Sequence, residues 1–380
     1  VNGSRLTAYA VAARRWLFED GFALWSSAGF DAASGQFVEQ LSPTGEPAPE
    51  AARRSLVQAR QLHVFAVAGR MGWTGPWRAV MSAAAATLLA RGRTDDGDWV
   101  FSFDPAGRPL DARPDLYTQA FMIFGLAHAA MALDRPDLLA AARETRERLE
   151  RAWRAPAGGF DEGRVHPGLR RQNPHMHLLE AAMALDDAGG DAAASALAGE
   201  LVDLFKARLV SEGGVTEYFD RQLAPLAGDR GRVREPGHAF EWAWLIGRWA
   251  ESNGSDETAL TDRLYAAGRV GVDPDGFVVD ELWAGGAVRS GSARLWPQTE
   301  RLRTALARGE RTGGAADRAD AAQACAALFA YLDSPRRGAW RDRRLAGGGW
   351  MDGPSPASSG YHIVGALEPL VRLWADRPGG

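Results

Sequence analysis

Seven histidines are spread over 380 residues, and three of them keep unusual company. His177 stands three positions before Glu180 in the run Asn173-Pro174-His175-Met176-His177-Leu178-Leu179-Glu180. His238 stands three before Glu241 in Pro236-Gly237-His238-Ala239-Phe240-Glu241-Trp242, and His362 follows Ser358-Ser359-Gly360-Tyr361. Residues three apart on a helix share a face, so each His–Glu pair can join an imidazole to a carboxylate. The carboxylate fixes the imidazole's tautomer and raises its basicity, while partial burial pulls the pKa back toward neutrality. Such a pair suits general acid–base work near pH 7. The same residue types ligate zinc. However, no His-Glu-x-x-His run occurs, and the one cysteine, Cys325, excludes multi-cysteine metal sites and internal disulfides. His63 and His128 lie among apolar residues and read as structural; His166 and His175 fall in or beside a loop, with His175 near enough to line the same site.

Other chemistries lack equipment. The single lysine, Lys206, would have to carry any Schiff base alone. No Gly-x-x-x-x-Gly-Lys-[Ser/Thr] or strand-linked Gly-x-Gly-x-x-Gly is present, and Ser290-Gly291-Ser292 lacks the context of a hydrolase elbow. A formal charge of −4 gives no electrostatic footprint for nucleic acid or an anionic membrane. No run reaches the roughly 18–20 uninterrupted apolar residues of a membrane span, and Val1–Arg5 lacks the pattern of a signal peptide. A cytoplasmic enzyme is expected. Fourteen tryptophans anticipate core bulk and some flat walls of the kind on which sugars stack.

The elements that must position these histidines follow from a repeat. A glycine, a bulky apolar residue and a nearby acid recur at Phe37, Trp99, Phe160, Val215, Phe277 and Trp350, at intervals of 62, 61, 55, 62 and 73. The acids are Glu39, Asp104, Asp161, Glu217, Asp280 and Asp352. Six units of about 63 residues fill the chain. Between the marks, Ala-, Leu- and Arg-rich stretches with apolar residues three and four apart predict two helices per unit. The apolar last helix, Ile363 to Trp374, fits closure better than the polar cap of an open solenoid. The expected fold is all-α, an (α/α)6 barrel of six helical hairpins over residues 1–380, with short β-turn insertions. The helix after each glycine turn should be the inner one. Unusual polar residues cluster at the starts of those helices, which predicts a polar cup walled by aromatics for a small polyol.

At these residues the sequence resembles the N-acylglucosamine 2-epimerase family. The matching motifs are Gln58-Ala59-Arg60-Gln61, Asn173 through Glu180, Pro236 through Trp242, Trp296-Pro297-Gln298-Thr299-Glu300 and Tyr361-His362, in order over nearly the whole chain. The resemblance implies an (α/α)6 barrel and proton transfer beside a sugar carbonyl, with no metal or cofactor. It implies His238 and His362 as the acid–base pair, with Arg60, Tyr117, Asn173, His177, Glu180, Glu241, Trp296 and Gln298 holding sugar hydroxyls or orienting the histidines. Glu241 is expected to orient His238, and Trp242 to join Trp296 in the cup. Similarity to the mannose isomerase branch implies interconversion of D-mannose and D-fructose, with D-lyxose and D-xylulose as a further pair. The alternative is a sugar 2-epimerase of the N-acylglucosamine or cellobiose type. Glycoside hydrolysis by two carboxylates and non-catalytic sugar binding are the rivals from other classes. A monosaccharide partner is expected, with no nucleic acid or membrane; a homodimer is compatible. The site residues argue against phosphorylated substrates, with the arginines around Arg170-Arg171 and Arg230 as the contrary feature.

Overall fold

The computed structural model describes residues 2–166 and 168–375. Twelve main helices alternate between an inner and an outer ring. The inner six are Ser55–Arg70, Leu116–Leu133, Gln172–Gly189, Pro236–Asn253, Leu295–Thr312 and Ser359–Trp374. The outer six begin at Asn2, Trp77, Pro136, Ala192, Thr258 and Ala315. Each inner helix packs against the next, and the sixth against the first, so the ring closes as an (α/α)6 barrel.

Burial explains the two rings. The outer helix Pro136–Ala152 buries Leu138, Ala142, Thr145 and Leu149, one stripe at helical spacing, and leaves its arginines and glutamates mostly on the other face. The inner helix Leu116–Leu133 is apolar nearly all round because it touches neighbours on every side. Its 18 residues have a mean hydropathy of 1.4, long and apolar enough to cross a membrane by composition. Tyr117, Thr118, Gln119 and His128 interrupt the apolar run, and 78% of the helix is buried within the barrel.

Closure is written most clearly at the end where the inner helices start. The extended residues that lead into each inner helix pair antiparallel with the turn of the next unit. Arg53–Arg54 pairs with Ser102–Phe103, Asp115 bridges Gly163, and Arg170–Arg171 pairs with Tyr218–Phe219. Val233–Arg234 then pairs with Leu282–Trp283, and Ala293–Arg294 with Arg343–Arg344. The sixth step returns to the beginning, Ser355–Pro356 on Gln40–Leu41. Gln61 and Arg60 seal the seam by donating to the carbonyls of Ala357 (2.7 Å) and Ser358 (3.1 Å).

The recurring glycine–apolar mark is a clamp. Gln58, one turn inside the first inner helix, bonds both N–H and C=O of Phe37 at 2.8 Å. Gln119 does the same for Trp99 at 2.9 Å, and Gln298 for Val278 at 2.8 and 2.9 Å. In the third unit His175 substitutes: its Nε2 accepts from Phe160 N–H at 3.0 Å and its Nδ1 donates to Arg171 O at 3.1 Å. Two sequence expectations are corrected here. The fifth mark is Val278, fully buried, whereas Phe277 is half-buried beside it. Gln298 and His175 face these turns and do not reach the cup; a side chain spent on backbone groups has nothing left for a sugar.

Removing the Gln298 clamp strands a buried N–H and a buried C=O, each costing about 1–3 kcal/mol. Gln298→Ala should therefore lower unfolding stability in a denaturant titration by about 2–6 kcal/mol, with KM unchanged.

Candidate active site

The polar groups at the inner-helix starts converge on one cup. His238 sits on the first turn of the Pro236–Asn253 helix, whose start is fixed by Pro236 after extended Glu235. Its Nδ1 donates to Glu217 Oε2 at 2.9 Å, and its Nε2 meets the Asn173 amide at 3.0 Å. The expected His238–Glu241 pair is not formed. Glu217, from the glycine turn of the same unit, is the partner, because the histidine ring points outward along the helix start and Glu241 points toward the barrel axis.

Glu217 occupies the repeat's acid position with a changed task. In other units the acid two residues beyond the buried mark binds the arginine just before the inner helix. Glu39 takes the N–H and guanidinium of Arg54, Glu162 those of Arg171, and Asp280 those of Arg294. Glu162, not Asp161, holds this place in the third unit. In the fourth unit the arginine is replaced by Glu235, whose N–H binds Glu217 Oε1 at 3.1 Å. The other oxygen is thereby freed for His238, and it also accepts from Gln172 at 2.9 Å. Gln172 in turn accepts from Trp242 Nε1 at 2.6 Å. Trp242 is fully buried and stacked on Phe205 at 4.0 Å, so it belongs to the core, contrary to expectation.

His362 donates from Nδ1 to Glu300 Oε1 at 2.8 Å. His177 donates from Nδ1 to Glu180 Oε2 at 3.2 Å, the i,i+3 pair the spacing predicts, and its Nε2 stands 3.8 Å from Glu241. Beneath these, the buried Arg303 guanidinium reaches Glu180 at 3.4 Å and Glu300 at 3.5 Å while lying on the Trp244 ring. The Tyr361 hydroxyl donates to Glu180. Half-buried Trp296 stands between the two outer histidines, its ring 4.9 Å from His238 and 5.7 Å from His362. Arg60 donates to the Tyr117 hydroxyl at 2.7 Å and lies over the Phe121 ring. Arg60 Nε, Asn173 Oδ1 and Glu241 Oε1 are buried without a hydrogen-bond partner among the described residues. Buried polar atoms of this kind are normally satisfied, and a hydroxylated ligand would satisfy them here.

The histidines lean in opposite directions. Burial disfavours the charged form of His238, but the charges of Glu217 and Glu235 outweigh it and hold this imidazole above its ordinary pKa. Burial wins at His362, against the opposing effect of its hydrogen bond to the Glu300 carboxylate, and lowers it. Burial also pushes His177 down to about 4 despite Glu180. The two imidazoles therefore differ in proton affinity, with His238 the higher and His362 the lower. Among the described residues, Glu217–Glu235–His238, His177–Glu180–Glu241 and Glu241–Glu300–His362 are the groups close enough to hold a metal ion. In each, the histidine Nδ1 already binds a carboxylate, and Arg303 supplies the positive charge beside Glu180 and Glu300.

The structure thus gathers Arg60, Tyr117, Asn173, His177, Glu241, Trp296, His238 and His362 about the cup, with Glu180 beneath it. Glu217, Glu300, Arg303 and Tyr361 were not among the sequence-derived site residues. Glu300 and Arg303 carried a signal, an i,i+3 acid–base pair on a helix otherwise destined for burial; Glu217 carried only its place in the repeat.

The fold is shared by several classes of carbohydrate-active protein, and the family match makes this chain one of the sugar isomerases and epimerases. The chain belongs to the N-acylglucosamine 2-epimerase family, whose model matches residues 35–366. A Rhizobium meliloti (strain 1021) protein named mannose-6-phosphate isomerase is 40% identical over 370 residues, 93% of this chain and 95% of that protein. Cellobiose 2-epimerase from Bacillus thermoamylovorans B4167 has the same fold, with a TM-score of 0.87 at 18% identity over 96% of this chain and 100% of its own. A D-mannose isomerase structure gives 0.86 at 20% identity over 96% and 97%.

Glu217→Gln should lower kcat by roughly 10–100-fold and shift the alkaline limb of the pH profile to lower pH, because the charge that raises His238 is gone. Unchanged circular dichroism would show that the fold is retained.

Proposed function

We propose that the enzyme interconverts D-mannose and D-fructose, with D-lyxose and D-xylulose as a second pair, by proton transfer through an enediol. The observation that carries this reading is the opposed leaning of two carboxylate-anchored histidines on either side of Trp296. His238, whose protonated form the charges of Glu217 and Glu235 favour, gives a proton to the ring oxygen as the O1–H electrons form the C1 carbonyl. It takes up the O1 proton, so the sugar opens and the imidazole ends as it began. His362, neutral, removes the C2 proton and returns it to C1 on the same face. The Arg60 guanidinium stabilises the oxygen that gains negative charge. The Rhizobium meliloti relative and the D-mannose isomerase support mannose as the aldose by their names.

A free sugar is favoured over its phosphate by the lip of the cup. Arg54, Arg171 and Arg294, which stand at the starts of inner helices, are each paired with a carboxylate from the repeat. A second reading, a phosphorylated aldose, has one structural support beside the relative's name. Arg230, exposed and without an ion pair among the described residues, lies over the ring of Tyr218, which is close to Glu235 and Glu217. Measuring kcat/KM for mannose and for mannose 6-phosphate separates the two. The 2-epimerase reading is separated by product, since an epimerase returns an aldose.

The deciding experiment is NMR of D-mannose with the enzyme in D₂O, where ketose formation with deuterium exchange is expected. His362→Asn should cut exchange at C2 by about 10²–10⁴-fold; near-normal exchange would remove His362 from this role. The pH profile should be bell-shaped. Activity rises as His362 loses its proton, below the ordinary histidine pKa, and falls as His238 loses its own above that value.

A further inference from the structure

Three glutamates and one arginine meet at the centre of the barrel. Arg303 reaches Glu180 and Glu300, and both carboxylates accept further bonds, from His177 and the Tyr361 hydroxyl at Glu180 and from His362 at Glu300. Glu241 is treated differently. It is 1% exposed, forms no hydrogen bond among the described residues, and leaves Oε1 buried without a partner. His177 Nε2 stands 3.8 Å away. A buried carboxylate with neither donor nor contacting cation is costly enough that such a group takes up a proton instead.

We propose, on the isomerase reading above, that Glu241 works as a neutral carboxylic acid that carries a proton between the two sugar oxygens flanking the migrating hydrogen. When His362 takes the C2 proton, the C2–H electrons form the C1–C2 double bond, and the C1 carbonyl electrons move to O1. The Glu241 O–H gives its proton to O1, leaving the enediol and a glutamate anion. The anion takes the proton from O2 as the O2–H electrons form the C2 carbonyl. The C1–C2 double-bond electrons then capture the His362 proton at C1. Acid and base end as they began, and no co-reactant is consumed.

The groups facing Glu241 agree with a neutral resting state. Glu180 and His177 come from the third inner helix, Glu300 and Arg303 from the fifth, Tyr361 and His362 from the sixth, and Arg60 and Tyr117 from the first and second. Burial first, then the charges of Glu300 and Glu180, push the Glu241 carboxyl well above the usual range, with Arg303 and Arg60 opposing.

Two substitutions and one spectrum test the role. Glu241→Gln preserves shape and a hydrogen-bond donor but cannot exchange a proton, whereas Glu241→Leu preserves neither. With mannose in D₂O, Glu241→Gln should keep C2 exchange within about tenfold and lose ketose formation by about 100-fold or more; Glu241→Leu should lose both. The infrared difference between wild type and Glu241→Gln should contain the carbonyl stretch of a protonated carboxyl, shifted in D₂O. The glutamine variant should also fold with unchanged thermal stability, being isosteric with the neutral acid. Loss of exchange in Glu241→Gln equal to that in Glu241→Leu, absence of the protonated band, or a destabilised glutamine variant would each overturn the proposal. Exchange without ketose in the wild type would instead sink the isomerase reading, and the infrared band would still report on Glu241.

Discussion

One buried guanidinium sets the electrostatics of the cup. Arg303 lies on Trp244 beneath the histidines and reaches both Glu180 and Glu300. Those carboxylates fix the Nδ1 atoms of His177 and His362, so the tautomer of two imidazoles depends on a charge that touches neither. Taking two carboxylates and a guanidinium out of water is expensive, and their mutual attraction with added hydrogen bonds offsets that cost only while all three remain. Removing Arg303 would leave two adjacent anions buried under the reacting groups.

The third histidine is held by other means. His238 takes its carboxylate from the repeat that shapes the barrel. In the first, third and fifth units the acid beyond the buried mark ties down an arginine at the entry to an inner helix. In the fourth, replacing that arginine with Glu235 leaves Glu217 an oxygen to spare, and His238 on the following turn receives it. A structural device of the fold becomes part of the site by one change of residue type. The two carboxylates raise His238, while burial prevails at His362, so the two imidazoles differ in proton affinity.

Much of the site was legible because helical spacing is local. His177 and Glu180 meet as an i,i+3 pair should, and polar clusters at the starts of the inner helices converge as the repeat requires. The same rule misled at His238 and Glu241. Spacing places both on one helix, but the first-turn histidine faces the turn before it while Glu241 faces the axis. Gln298 was misread for a related reason. A buried glutamine in a motif looks like a ligand-binding group until the backbone of Val278 is seen to use both ends of its amide. Trp242 shows that a tryptophan beside a site histidine can be core.

The sequence by itself determined the six-unit architecture, the closure of the ring, the family and the three histidines, because periodicity and residue type are properties of the chain. Only the tertiary structure decided which carboxylate serves which histidine. Glu217 lies 21 residues before His238, and Glu300 lies 62 before His362. Such pairings follow from how neighbouring helices and turns are placed, and no local spacing encodes them. The electrostatics at Glu241 are likewise collective, since they depend on burial and on two acids and two arginines brought in from other helices.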